Sequence, residues 1–307
     1  MKTLGLGLAL GALLWSASGL AFCRATTCNP LEQRCATDPL TECPTTGTPL
    51  SWVSGCITVN VQRDGAPRAG ISADQAEASV RRALDTWLSA DCGDGLPSIA
   101  VDVGEQVACD VSEYAGDHHN ANIVMFREQS WPYEGAEDAL GITRLRFDDD
   151  QAPGQLWDAD IELNAVDEPL AVGSPRSNQV DLDSLVTHEI GHLFGLAHSL
   201  VTDATMLAGY MHGSTGLRTL STDDVAGICA IYPPGRALST TSCEPRHGFS
   251  ELCAAGQPPF VEPRGDDAPS SKKESKGCAV ANSTPSHGSG VLLALAAFAA
   301  LVRRRRG

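Results

Sequence analysis

The sequence predicts a mixed α/β domain, and three observations carry that expectation. Cys56-Ile57-Thr58-Val59-Asn60-Val61 alternates apolar and polar residues, the period-two pattern of a half-buried strand. Ser72-Ala73-Asp74-Gln75 opens a helix, with Ser72 as N-cap and Gln75 in the capping-box position, and Ala76 to Leu88 continues it. A second helix is expected after Asp181 or Asp183, either of which suits a helix N-terminus by cap chemistry and by charge. Further strands are expected at Ile99–Val103 and Ala121–Phe126, with a pair at Ile142–Phe147 and Asp160–Leu163.

The second helix carries His188-Glu189-Ile190-Gly191-His192-Leu193-Phe194-Gly195-Leu196-Ala197-His198, which reads H-E-x-x-H-x-x-G-x-x-H. Helical residues four apart share a face, so His188 and His192 can offer their imidazoles to one metal ion. Glu189, one step round, falls beside the metal's open position. Gly195 tolerates a positive φ, so it can end the helix and turn the chain back to bring in His198. Three neutral nitrogens leave the fourth zinc position free, the arrangement of catalytic rather than structural zinc sites. A packing explanation would need three histidines and a glutamate at fixed offsets on one short segment.

With this motif the chain resembles the metzincin metalloproteases, in their matrixin-like branch. Ser199 after the third histidine is the matrixin-type choice. Ala204-Thr205-Met206 falls where matrixins place a methionine turn under the zinc, with Met211 further from His198 than that spacing allows. Leu220 to Ile228 resembles the start of the family's C-terminal helix, Ala76 to Trp87 its first helix and Asn122 to Arg127 its third strand. The resemblance runs from about Trp52 to Pro233. It implies a metzincin-like α/β (α+β) fold: a twisted mixed sheet, a zinc-binding active-site helix and a small C-terminal subdomain, here within residues 50–235. It also implies substrate binding by strand addition beside the cleft, the β-augmentation mode. The implied catalytic residue is Glu189, the zinc ligands are His188, His192 and His198, and the structural supports are Gly195 and Met206. The P-R-C-G type propeptide segment of matrixins is absent, which puts latency by that route in doubt.

The ends read as targeting devices. Lys2, the apolar run Leu4–Leu20 and Gly19-Leu20-Ala21 before Phe22 form a signal-peptide pattern, giving a segment 1–21 removed on export. Phe22 is too bulky for a lipoprotein box ending at Cys23. At the other end, Gly277-Cys278, a polar spacer, the apolar run Val291–Val302 and Arg303 to Arg306 resemble a myxobacterial-type C-terminal sorting tag over 278–307. Four arginines behind an apolar run also suit a retained membrane anchor. Either way the expected location is secreted or at the surface of a bacterial cell envelope. Between domain and tag, 236–277 is rich in Pro, Ser and charge and reads as a linker.

Eleven cysteines fit an exported chain. With Cys278 in the tag, ten remain, and no C-x-x-C pair supports a cysteine zinc cluster. Cys92–Cys109 and Cys243–Cys253 are expected as local pairs and Cys56–Cys229 as a tie from first strand to last helix. Residues 22–49 read as a disulfide-tied N-terminal extension.

A formal net charge of −16 argues against nucleic acid as a partner, since phosphates would be repelled. Asp148-Asp149-Asp150 and Asp158-Ala159-Asp160 are candidate structural calcium ligands, though no full calcium-loop motif is present. His118-His119 is a candidate second, structural zinc site. Tyr210 and Tyr232 are candidate transition-state helpers, with Tyr210 read rather as part of the loop lining the substrate pocket. The expected function is zinc-dependent endopeptidase activity on protein or peptide substrates. The competing readings are a non-catalytic surface binding module on the same scaffold and a hydrolase acting on something other than protein.

Overall fold

The computed structural model describes residues 22–28, 35–112, 114, 121–133, 136–148, 152–166, 168–239, 243 and 275–282. The expected signal segment 1–21, His118, His119, Asp149, Asp150, Cys253 and the apolar run 291–302 lie outside them. In chain order the elements are strands β1 (Cys23–Arg24) and β2 (Cys56–Val61), helix α1 (Ala73–Leu88), and strands β3 (Ala100–Val103), β4 (Asn122–Arg127), β5 (Ala139–Phe147) and β6 (Leu156–Asn164). Short strands β7 (Leu170–Ala171) and β8 (Val180–Asp181) lead into helix α2 (Leu182–Leu193). Strands β9 (Leu196–Ala197) and β10 (Gly209–Tyr210), helix α3 (Thr222–Ile231) and strand β11 (Ser275–Asn282) follow.

The main sheet is mixed, in the order β10-β11-β5-β6-β4-β2-β3. β3, β2, β4 and β6 run parallel to one another, whereas β5 is antiparallel to β6. β2 is buried along its whole length rather than on alternate residues. Its parallel neighbours on both sides make it an interior strand, and such strands are covered on both faces. The Asn60 side-chain amide donates to the Glu105 carbonyl at 2.8 Å, and Asn122 on β4 donates to the Thr58 main-chain carbonyl at 2.9 Å.

α1 forms with the anticipated capping box, Ser72 and Gln75 bonding each other's backbone amides. Its buried face, which includes Ala76, Val80, Ala83, Leu84 and Trp87, packs on α2. The Trp87 indole donates to the Thr187 carbonyl at 2.7 Å, fixing the two helices lengthwise. Asp181 caps α2 by accepting from the Ser184 amide at 2.9 Å. Asp183 instead ties α2 to α1, accepting from Ser79 at 2.6 Å and Arg82 at 2.7 Å.

The disulfides differ from the sequence expectation. Cys92 pairs with Cys229 and Cys56 with Cys243, so neither Cys92–Cys109 nor Cys56–Cys229 forms. Cys243 is thereby committed away from Cys253. Turn-rich stretches between cysteines were a poor guide because the fold brings together residues separated by 137 and 187 positions. Cys23–Cys43 and Cys28–Cys35 staple the N-terminal extension, whose β1 pairs with β9, opposite Ala197 and Leu196. The boundary expected between a linker ending at 277 and a tag starting at 278 falls inside β11. Among the described residues no helix is long and apolar enough to cross a membrane.

Candidate active site

α2 is buried throughout, because it lies between the sheet, α1 and the C-terminal subdomain, and its polar residues therefore need partners. His188 Nδ1 is 2.7 Å from the Thr205 carbonyl and His192 Nδ1 is 2.9 Å from that of Leu196. A carbonyl only accepts, so both rings carry the proton on Nδ1 and turn a lone pair outward at Nε2. Those two Nε2 atoms face each other at 3.0 Å.

α2 ends at Phe194, and Gly195 takes φ +94 with its amide donating to the His192 carbonyl at 2.8 Å. A Cβ at 195 would also lie 2.6 Å from the Leu50 carbonyl oxygen, so the turn requires glycine twice over. The reversal brings His198 to the other two rings, with ring centroids 5.2 Å from His188 and 4.9 Å from His192. The ligand nitrogens of the three histidines lie within 4.8 Å of one another. The Nε2 of His198 is buried with no protein hydrogen-bond partner. Three inward lone pairs, two of them in van der Waals contact, repel unless a cation sits among them. The donor set fits zinc, and the triad could hold one such ion.

Burial depresses all three imidazoles, His188 to about 3 and His198 to about 4, with the His198 ring adding to it for His188. His192 lies well below its ordinary value for the same reasons. The neutral imidazole is the ligand form.

Glu189 stands beside the triad, completely buried, and burial pushes its carboxyl up to about 8 against the pull of Thr143. Thr143 on β5 donates to its Oε2 at 2.6 Å, while Oε1 has no hydrogen-bond partner in the protein. Gly141, also on β5, lets the strand pass close, since a Cβ there would be 2.7 Å from Oε1. β5 thus forms the wall over the glutamate.

Met206 lies behind the ligands, against α2. A Cβ on Gly191, between the two helical histidines, would collide with the Met206 sulfur and come 2.7 Å from Cζ2 of Trp87. Met211 is 71 % exposed and takes no part. The turn is held from α3: Asp224 accepts from the Thr205 amide at 2.7 Å and the Met206 amide at 3.0 Å, and Asp223 accepts from Ser199 at 2.7 Å. Through Thr205 this reaches the His188 ring.

Sequence reasoning missed Thr143, Gly141, Asp223 and Asp224. Asp224 left a trace, since Ser221-x-x-Asp224 is a capping pattern and the same carboxylate serves the cap and the turn. Thr143 left none. The two tyrosines serve the framework. The Tyr210 hydroxyl donates to the Ser214 carbonyl at 2.6 Å and accepts from the Asp181 amide, while that of Tyr232 donates to Phe194 at 2.9 Å. Asp158 and Asp160 are buried on β6, Asp158 opposite Arg146 and Asp160 opposite Arg144.

Comparison with known proteins follows the same stretch. The matrixin family model matches residues 110–233. Metalloendoproteinase 1-MMP of Arabidopsis thaliana is 30% identical over 174 residues, 56% of this chain and 42% of its own. Matrix metalloproteinase-16 of Homo sapiens is 26% identical over 198 residues, 62% of this chain and 30% of its own. Metalloendoproteinase 4-MMP of Arabidopsis thaliana is 29% identical over 154 residues, 50% of this chain and 38% of its own. The chain thus spans less than half the length of these curated relatives. The histidine triad, the glutamate under β5 and the methionine turn all fall inside the matched segment, and residues 110–233 are matrixin-like.

Proposed function

We propose that this chain is a zinc-dependent endopeptidase, with His188, His192 and His198 as ligands, Glu189 as general base, and Gly195 and Met206 as supports of the site. The observation that carries the reading is the set of three inward imidazole lone pairs with a buried carboxylate beside them. When bound, zinc supplies Lewis-acid polarisation of the scissile carbonyl and acidifies its water. Glu189 accepts the proton of the attacking water and returns it to the leaving amine, the general acid/base role. Thr143 positions that carboxylate by holding Oε2, leaving Oε1 for the water. Peptide backbone adds as a strand to the edge of β5 away from β6, the edge that β11 occupies in this structure.

The likeness to metalloendoproteinases supports protein or peptide as substrate. The four disulfides among the described residues support an oxidising compartment outside the cytoplasm. Glu189→Gln should keep one zinc per chain by metal analysis and keep the fold, while chelator-sensitive casein hydrolysis falls at least a thousandfold. Cleavage at the parent's rate by that variant would remove Glu189 from the mechanism.

A further inference from the structure

The edge of β5 beside the catalytic glutamate is paired with a segment of the same chain. β11 lies antiparallel to β5, with Cys278 opposite Thr143, Ala279 opposite Ile142 and Val280 opposite Gly141. On its other side β11 runs parallel to β10, with Ala281 opposite Gly209 and Asn282 opposite Tyr210. Thr143 bonds Glu189, and at Gly141 β5 passes so close to Glu189 that a Cβ would not fit. β11 therefore pairs with the stretch of β5 that lies over the carboxylate, and it lies between β5 and β10.

We infer that residues 275–282 occupy the substrate-strand position of the cleft and hold the intact chain latent. The inference rests on the endopeptidase reading given above. A strand has one set of outward donors and acceptors along each edge, so β11 and an added substrate strand compete for the same groups on β5. Their binding is mutually exclusive. The segment is tethered: Cys243 is fixed to Cys56 at the start of β2, and residues 244–274 connect it to β11. Being part of the same chain, β11 competes with free peptide as an intramolecular partner. The surface and its occupant are thus both in this chain, and activation requires removal or displacement of the segment.

The test uses the full zinc-loaded chain and its Ala279→Pro variant, since proline removes a strand donor and clashes with the neighbouring strand. Two readings are taken: hydrogen exchange of the β5 amides at 139–147, and hydrolysis of a quenched fluorescent peptide. The variant should exchange at least tenfold faster at β5 and cleave at least tenfold faster. A synthetic peptide of residues 273–285 added in trans should slow the variant again, and a scrambled peptide should not. Equal exchange in parent and variant overturns the inference, as does equal cleavage by two chains that both turn over. So does self-cleavage within 275–282 by the parent but not by Glu189→Gln, because the segment would then be substrate and not block. Faster exchange in a variant that, like the parent, never cleaves peptide leaves the strand occupancy standing and sinks the endopeptidase reading instead.

Discussion

The Thr143 hydroxyl lies 2.6 Å from Oε2 of Glu189 and 3.1 Å from the main-chain oxygen of the same residue. One side chain thereby joins the strand over the cleft to the helix that carries two of the three histidines. A carboxylate with one oxygen held and the other unpartnered has a defined direction, which a general base needs more than it needs affinity.

Removing that hydroxyl should cost turnover rather than binding. Hydrogen bonds to charged groups are worth about 1.5–3 kcal/mol. Thr143→Val should therefore lower kcat roughly 10- to 100-fold with KM little changed, the pattern of an interaction expressed in the transition state. Thr143→Ser, which restores the hydroxyl, should recover most of the loss. A Val variant with parental kcat would mean that Glu189 is oriented by the α2 backbone alone.

Gly191 gives a prediction whose sign separates two effects. Helix propensity alone favours alanine over glycine by about 1 kcal/mol. Here the added Cβ would strike the Met206 sulfur and the Trp87 ring, both in the core. Overpacking of this kind costs about 1–3 kcal/mol, so packing opposes and should outweigh propensity. Gly191→Ala should lower the melting temperature by several degrees. Met206→Leu, which keeps volume, should cost on the order of 1 kcal/mol. A rise in melting temperature for Gly191→Ala would show that Met206 moves aside freely and does not floor the site.

What the sequence made legible follows from how local the causes were. The histidine triad occupies eleven consecutive residues, where helix period and one glycine determine the geometry. The α1 cap was legible for the same reason, as Ser72 and Gln75 are three residues apart. Thr143 is 46 residues from Glu189, and only the register of β5 on β6 brings them together. β11 was hidden because Gly and Ala are weak strand formers within a polar run, and its pairing with β5 and β10 runs through the main chain. The disulfides failed as sequence-local guesses because covalent pairing records the fold and not the spacing.

The Cys92–Cys229 bridge should matter for stability beyond its neighbourhood. It joins the loop after α1 to α3, the helix whose Asp223 and Asp224 hold the methionine turn. Closing a loop with a sequence separation of 137 should contribute about 3–5 kcal/mol through restriction of the unfolded chain. Cys92→Ser with Cys229→Ser should lower unfolding free energy by that amount in urea. It should also weaken zinc retention against a chelator, since the turn beside His188 loosens. Unchanged retention despite lower stability would show that the carboxylates hold the turn without help from the bridge.

The last prediction concerns Asp160, on β6 and remote from the histidines. Burial pushes its carboxyl up to about 7, against Ser112, Arg146 and the Ile123 amide, which donates to Oδ1 at 3.0 Å. An unfolded aspartate titrates near 3.9. Between those values the folded chain keeps a proton that the unfolded chain has lost, so stability should fall as pH rises from about 4 to about 7. Above that window both states are ionised and the loss is complete. Asparagine is isosteric, keeps an acceptor for the Ile123 amide and carries no charge. Asp160→Asn should exceed the parent's unfolding free energy by more at pH 8 than at pH 5, the gap widening by on the order of 2 kcal/mol. Taking the difference between the two proteins at each pH cancels the titrating groups that do not interact with Asp160. A variant weaker than the parent at pH 8 but equal at pH 5 would show that ionised Asp160 is stabilised by its arginine neighbours by more than burial penalises it.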